Sequence, residues 1–166
     1  MRDDRNVLRD ALDGALAGLL ATWLMGKATT VLYDRENPSA RAREDAARAG
    51  KTSYGVAAEK LARAVGASLS DEQRQAYGKA IHWALGMAAG AAYGVLRPRV
   101  PNRMLARGLA FGTLFWLLAD EGATVALGLT PGPRAFPWQT HARGLVGHTV
   151  FGTVADTTLD VLQGAA

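Results

Sequence analysis

The sequence predicts an all-α membrane bundle of four spanning helices, and three features lead there. Apolar residues gather into four blocks, over residues 11–33, 77–96, 104–129 and 140–162. No stretch alternates apolar and polar residues over a strand length, so the remaining period is helical. Within the blocks glycine recurs every fourth residue. In water each such glycine costs about 1 kcal/mol against alanine, whereas in lipid the same spacing lets helix backbones meet closely.

Composition bounds the rest. The chain has 166 residues, one domain's worth, of which 49% are hydrophobic, with 19 glycines and no cysteine. That apolar content excludes a disordered chain. The lack of cysteine excludes a disulfide scaffold, a thiolate metal site and a cysteine nucleophile. Nineteen basic residues against 15 acidic ones leave a net charge of +4. The two signs interleave and few aromatics accompany them, so nucleic-acid binding is not expected.

The first block carries a row of small residues, Gly14, Gly18, Thr22 and Gly26, interrupted by Asp13 and Lys27. A cleaved signal peptide is the other reading of this block. Asp3 and Asp4 in its leading region, and the lack of an Ala-x-Ala site after Met25, argue against it. The polar loop, residues 34–76, predicts one or two short amphipathic helices, near 40–49 and 53–65, parted by Gly50. In the second, Val56, Leu61 and Val65 share a side, suited to the bundle or the membrane surface. Gly50-Lys51-Thr52 mimics the end of a phosphate loop, but no leading strand or earlier glycine supports it.

Ser70 with Gln73 three residues on forms a capping box, followed by Asp71 and Glu72 in the first turn. The helix it starts should stop at Arg97-Pro98. Gly86, Gly90 and Gly94 share a row with His82 along it. In the third block Asp120 and Glu121 stand about 100° apart on an α-helix and should not face one cleft. In the fourth, Gly144, His148 and Gly152 form a row that Asp156 and Asp160 extend toward the other surface as an acidic mouth.

His82–Tyr93, Gly128-Leu129-Thr130-Pro131, Pro137-Trp138 and Gly147-His148 carry, in that order and spacing, a resemblance to the YagU-like family. These are bacterial inner-membrane proteins built around a domain of unknown function, and the likeness covers roughly residues 79–162. The resemblance implies a multi-pass protein of the bacterial inner membrane. It implies no reaction, cofactor or catalytic residue. Some members carry an acid a few residues before the Gly–His pair, where this chain has Gly144.

With four spans, the amino end and the Arg97–Arg107 turn lie on one side with 7 Lys and Arg, against 2 in the last loop. The positive-inside rule then places both termini in the cytoplasm, opposed by 9 basic residues in the long polar segment.

By depth, Lys27, His82, Glu121 and His148 fall in the same third of the bilayer, next to that segment. Charges at one low-dielectric level should pair, so Glu121 is read as the acid, Lys27 as its counter-charge, and the histidines as proton exchangers. His141 is read as lining the start of its helix near Trp138. The expected function is a small homo-oligomeric channel or transporter for protons or small ions, glycine faces joining several copies. The alternative is a non-transporting membrane interaction or scaffold protein in which those groups only tie helices together. Neither a cofactor nor a metal is expected, since no spacing fixes two histidines on one helix for an ion. No serine lies in the apolar blocks, and an enzyme is not expected. The partners foreseen are the lipid bilayer, further copies of the chain and a small ion.

Overall fold

The computed structural model describes residues 7–100 and 104–164, all helices and turns. Asp3 and Asp4, and the Arg2, Arg5 and Arg103 counted for orientation, lie outside the described residues. Helix α1 spans Val7–Asp34, α2 Pro38–Arg48, α3 Ser53–Ala64 and α4 Asp71–Leu96. A 3-10 turn, Arg97–Arg99, leads on toward α5, Met104–Trp116. That helix runs on through a π-helical stretch, Leu117–Ala123, into the short α6, Thr124–Ala126. After a second 3-10 turn, Pro133–Ala135, α7 covers Trp138–Gly164.

Local chemistry sets these limits. Asn37 caps α2, its side chain accepting from the Ser39 amide at 2.9 Å, and Pro38 supplies the preset first turn. The helix stops where Ala49 and Gly50 turn left-handed, at φ 49° and 73°. Thr52 caps α3 through the Gly55 amide at 3.0 Å. The Ser70–Gln73 capping box is formed at the start of α4.

The long helices meet through small residues. Helix α1 packs on α4 and α7, α5 packs on α7, and α3 lies on α4. A Cβ at Gly14, Gly18, Gly90 or Gly94 would run into the facing helix backbone, and one at Gly86 into the Thr22 hydroxyl. Gly152 of α7 stands against Gly108 and Gly112 of α5 in the same way. These rows are used between helices of one bundle. Gly26 is a correction: a Cβ there would meet nothing within 4 Å, because it stands off the packed row. Gly144 is another, since it makes room for Trp116 and Asp120 side chains instead of a helix backbone.

The inside combines small residues, an aromatic cluster and paired polar groups, and many leucines lie on the outside. Ala17, Ala21 and Ala155 are fully buried with Phe151 and Leu159, and so are His148 at 2% and Asp156 at 4% exposure. Leu16 is 60% exposed and Leu118 61%, with Leu8, Leu12, Leu114 and Leu117 similarly placed. Two helices are long and apolar enough to cross a membrane, Val7–Asp34 and Ala106–Ala126. At 28 residues α1 is about 42 Å long.

Candidate functional site

An open-sided cavity of about 430 Å³ lies where α2 and α3 cover one end of the bundle. Its wall takes Met25 and Thr29 from α1, Glu44 and Arg48 from α2, Tyr54 from α3 and His82 from α4. Trp116, Asp120 and Glu121 come from α5 and its π-helical continuation, and His141, Arg143 and Gly144 from α7. Asp120 and Glu121 both line this one cavity, contrary to the α-helical expectation. In a π-helix bonds run from i to i+5, so successive residues turn through a smaller angle and both carboxylates reach the same space.

Each acid has a distinct partner. Glu121 Oε1 lies 2.6 Å from His141 Nδ1, while His141 Nε2 lies 3.1 Å from the Pro133 carbonyl. A carbonyl only accepts, so Nε2 is the donor toward Pro133, and Nδ1 faces the Glu121 carboxylate at hydrogen-bond distance. His148 Nδ1 donates to the Gly144 carbonyl at 3.0 Å, and Asp120 Oδ2 stands 3.6 Å from the same nitrogen. Among the described residues Asp120 makes no ion pair with lysine or arginine. The indole Nε1 of Trp116 is buried with no hydrogen-bond partner among the described residues. A Cβ at Gly144 would meet this nitrogen at 2.9 Å and Asp120 Oδ2 at 3.4 Å.

The opposite wall is electrically closed. Buried Glu44 accepts from Arg143 at 2.6 Å, Arg48 at 2.8 Å and Thr140 at 2.8 Å, while Arg143 also pairs with Glu36. Burial alone would raise the Glu44 pKa, but these bonds, led by Arg143, outweigh it and hold the carboxyl below its usual range. On α3, burial pushes the Tyr54 phenol up, and its ring lies 4.8 Å from that of His82.

Beneath His148 the path is blocked by rings. Phe115 meets the imidazole edge-on at 5.0 Å, Phe151 follows at 5.4 Å from Phe115, and Phe111 stacks on Tyr93 at 4.1 Å. The Tyr93 hydroxyl donates to Asp156 at 2.8 Å, and Arg97 and Arg107 donate to the same oxygen at 2.9 Å each. Arg97 also pairs with Asp160. The expected acidic mouth is thus corrected to a neutralised cluster, because the α4–α5 connection folds two arginines over Asp156 and Asp160.

His82 and Glu121 therefore border the cavity, and His148 backs it through Asp120. Lys27 does not join them. It is exposed, with its ammonium 6.0 Å from the Trp23 ring, and the expected Lys27–Glu121 pair is replaced by His141–Glu121. The reason is angular: Lys27 is two residues from both Met25 and Thr29, about 200° around α1 from the packed row. The glycine row itself signals this. Glu44, Arg143 and Tyr54 carry no site signal in the sequence, since contacts across about 100 residues leave no local pattern. No group of three or more His, Cys, Asp or Glu among the described residues is placed to hold a metal ion.

No family model, curated protein or solved structure matches the chain.

Proposed function

We propose that this is a four-span integral membrane protein that exchanges protons or small cations through a vestibule at one membrane face. The observation that carries the reading is a leucine exterior around buried ionisable groups. Leucines cover the outside while ion-paired Asp156 and His148 are buried. A water-soluble bundle would leave that leucine surface wet, whereas lipid makes it the natural exterior. Ionisable groups inside a membrane bundle line pathways or hold helices together; Asp120 and Glu121 open onto a cavity, while Asp156 ties helices at the other end. Helices α4 and α7 complete the span count, being 26 and 27 residues long and packed on α1. The resemblance to YagU-like inner-membrane proteins agrees with this placement.

Within the vestibule, His141 is hydrogen-bonded to Glu121, and His148 stands beside Asp120 at the floor. Below it, the aromatic rings separate the floor from the Asp156 cluster, so the vestibule serves one side at a time. Crossing requires those rings to part. Each bundle contains its own vestibule and needs no second copy to complete it.

Proteoliposomes loaded with a pH-sensitive dye test the reading. A potassium–valinomycin potential should drive proton entry with the wild type, and Asp120→Asn should slow it by about tenfold or more. Unchanged flux in Asp120→Asn, or none in the wild type, overturns proton exchange through this vestibule.

A further inference from the structure

A second open-sided cavity, of about 450 Å³, lies in the groove between α3 and α4. Gly55 and Gly78 line it where the two helices cross closely: a Cβ at Gly78 would stand 3.0 Å from the Gly55 nitrogen. Its walls take Thr52 and Tyr54 from the start of α3, and Arg74, Gln75, Lys79 and His82 from α4. No carboxylate among the described residues lines this groove, whereas Glu44, Asp120 and Glu121 all line the vestibule.

The groove's donors are largely free. Lys79 is exposed and makes no ion pair or hydrogen bond among the described residues. The Gln75 side chain, four residues before it on the same helix face, and the Tyr54 hydroxyl also lack a hydrogen bond there. Thr52 Oγ1 accepts from the Gly55 amide at 3.0 Å, which leaves its own proton to give. Arg74 meets Glu59 and Asp71 through Nη1 alone, and Glu59 is shared with Lys51 and Arg63. These acids stand behind Arg74, and neither pairs with Lys79. A space of this size lined by cations and uncharged donors suits an anion with several acceptor oxygens, as a phosphate group is.

The place of Lys79 on α4 indicates where that phosphate comes from. It is the last Asp, Glu, Lys or Arg before residues 80–96, which carry none. Leu85 and Met87 are exposed along that apolar stretch. In a membrane-spanning bundle the groove therefore lies at the edge of the hydrocarbon, at the level of lipid phosphates.

We propose that the α3–α4 groove binds the phosphodiester headgroup of an anionic phospholipid, Lys79 meeting its charge and Gln75, Tyr54 and Thr52 donating to its oxygens. With no lining carboxylate to receive an ammonium, phosphatidylglycerol fits better than phosphatidylethanolamine. This rests on the membrane-spanning reading, but binding itself needs no proton flux.

Native mass spectrometry of the full chain in detergent, with the two lipids at equal concentration and with the same acyl chains, tests the proposal. Phosphatidylglycerol should bind about fivefold or more tighter. Lys79→Gln should erase most of that preference, whereas Lys27→Gln, at an exposed lysine outside the groove, should keep it. Tyr54→Phe should weaken phosphatidylglycerol about threefold. The wild-type preference and the Tyr54→Phe loss stand should Lys79→Gln fail to fold. Glycerophosphoglycerol, the headgroup without acyl chains, should bind about tenfold or more weaker than the lipid. Equal binding of the two lipids, a preference untouched by Lys79→Gln, or equal binding of the free headgroup overturns the proposal. A Lys79-dependent lipid preference without proton flux would leave this site standing and remove proton exchange. Asp120-dependent flux without a lipid preference would do the opposite.

Discussion

Both ends of the bundle set a buried carboxylate against arginine, yet only the cavity end also sets carboxylates against histidine. At the closed end Asp156 receives Tyr93, Arg97 and Arg107 on one oxygen, and Arg97 reaches on to Gln163 at 2.7 Å. At the cavity end Glu44 likewise has Arg143 and Arg48, but the part-buried Asp120 and Glu121 have histidines. Arginine keeps its charge at any pH a protein meets, while histidine as a residue type gains and loses a proton near neutrality. One end is thus a fixed neutral knot and the other can change its charge. Backbone geometry follows the same division, since the π-helical stretch lies at the cavity end.

The largest expected effect comes from breaking the knot. Asp156→Ala takes the shared acceptor from Tyr93 and two buried guanidiniums, leaving the guanidiniums Asp160 and Gln163, and should cost about 3 kcal/mol, against about 1 kcal/mol or less for Asp120→Ala, which removes no arginine's ion-pair partner. Unfolding titrations of both variants in detergent measure the difference. Equal losses would erase the distinction between the two ends.

Next come the glycine seams. Gly90→Ala forces a methyl onto the α1 backbone and should cost about 1–3 kcal/mol. Gly26→Ala, in open space, should be neutral or gain up to about 1 kcal/mol through helix propensity. Thermal midpoints in one detergent compare them, and a Gly26→Ala loss as large as that of Gly90→Ala would show that the seam is misplaced.

The smallest effect concerns acid. Glu44, on α2, is held below its ordinary range when folded, led by Arg143 against the opposing pull of burial. Its stabilisation is therefore complete above the unfolded value, about 4.3, and is lost as pH falls below that through the folded value. Melting curves taken between about pH 6 and pH 3 should fall less steeply with pH for Glu44→Gln than for the wild type. Parallel curves would show that the Arg143–Glu44 contact does not close that wall.

Which of these features the sequence reveals depends on their range. The capping box at Ser70, the stop at Arg97-Pro98 and the two short helices are local, and their residues announce them. The α1–α4 seam is also legible, because glycine at every fourth position has few uses other than close approach. The paired orientation of Asp120 and Glu121 is not, since a π-helical stretch has no simple residue signature and α-helical spacing misplaces them. Lys27 is deceptive for a simpler reason: its depth along α1 matches the site, but its angle around the helix does not. Arg97 and Arg107 over Asp156 required knowing that a turn folds back, which neither arginine encodes.

The central claim is that the leucine exterior faces lipid. The chain has no cysteine, so single reporters can be placed without background. Leu16→Cys and Leu114→Cys lie on the exposed outer surface, and Arg134→Cys lies in the exposed turn before α7. In native membranes a water-soluble maleimide should modify the two leucine positions about tenfold or more slowly than the turn, because the reactive thiolate is disfavoured in hydrocarbon. All three should react alike once the chain is unfolded in SDS. Labelling of Leu16→Cys and Leu114→Cys at the rate of Arg134→Cys in intact membranes would contradict the account.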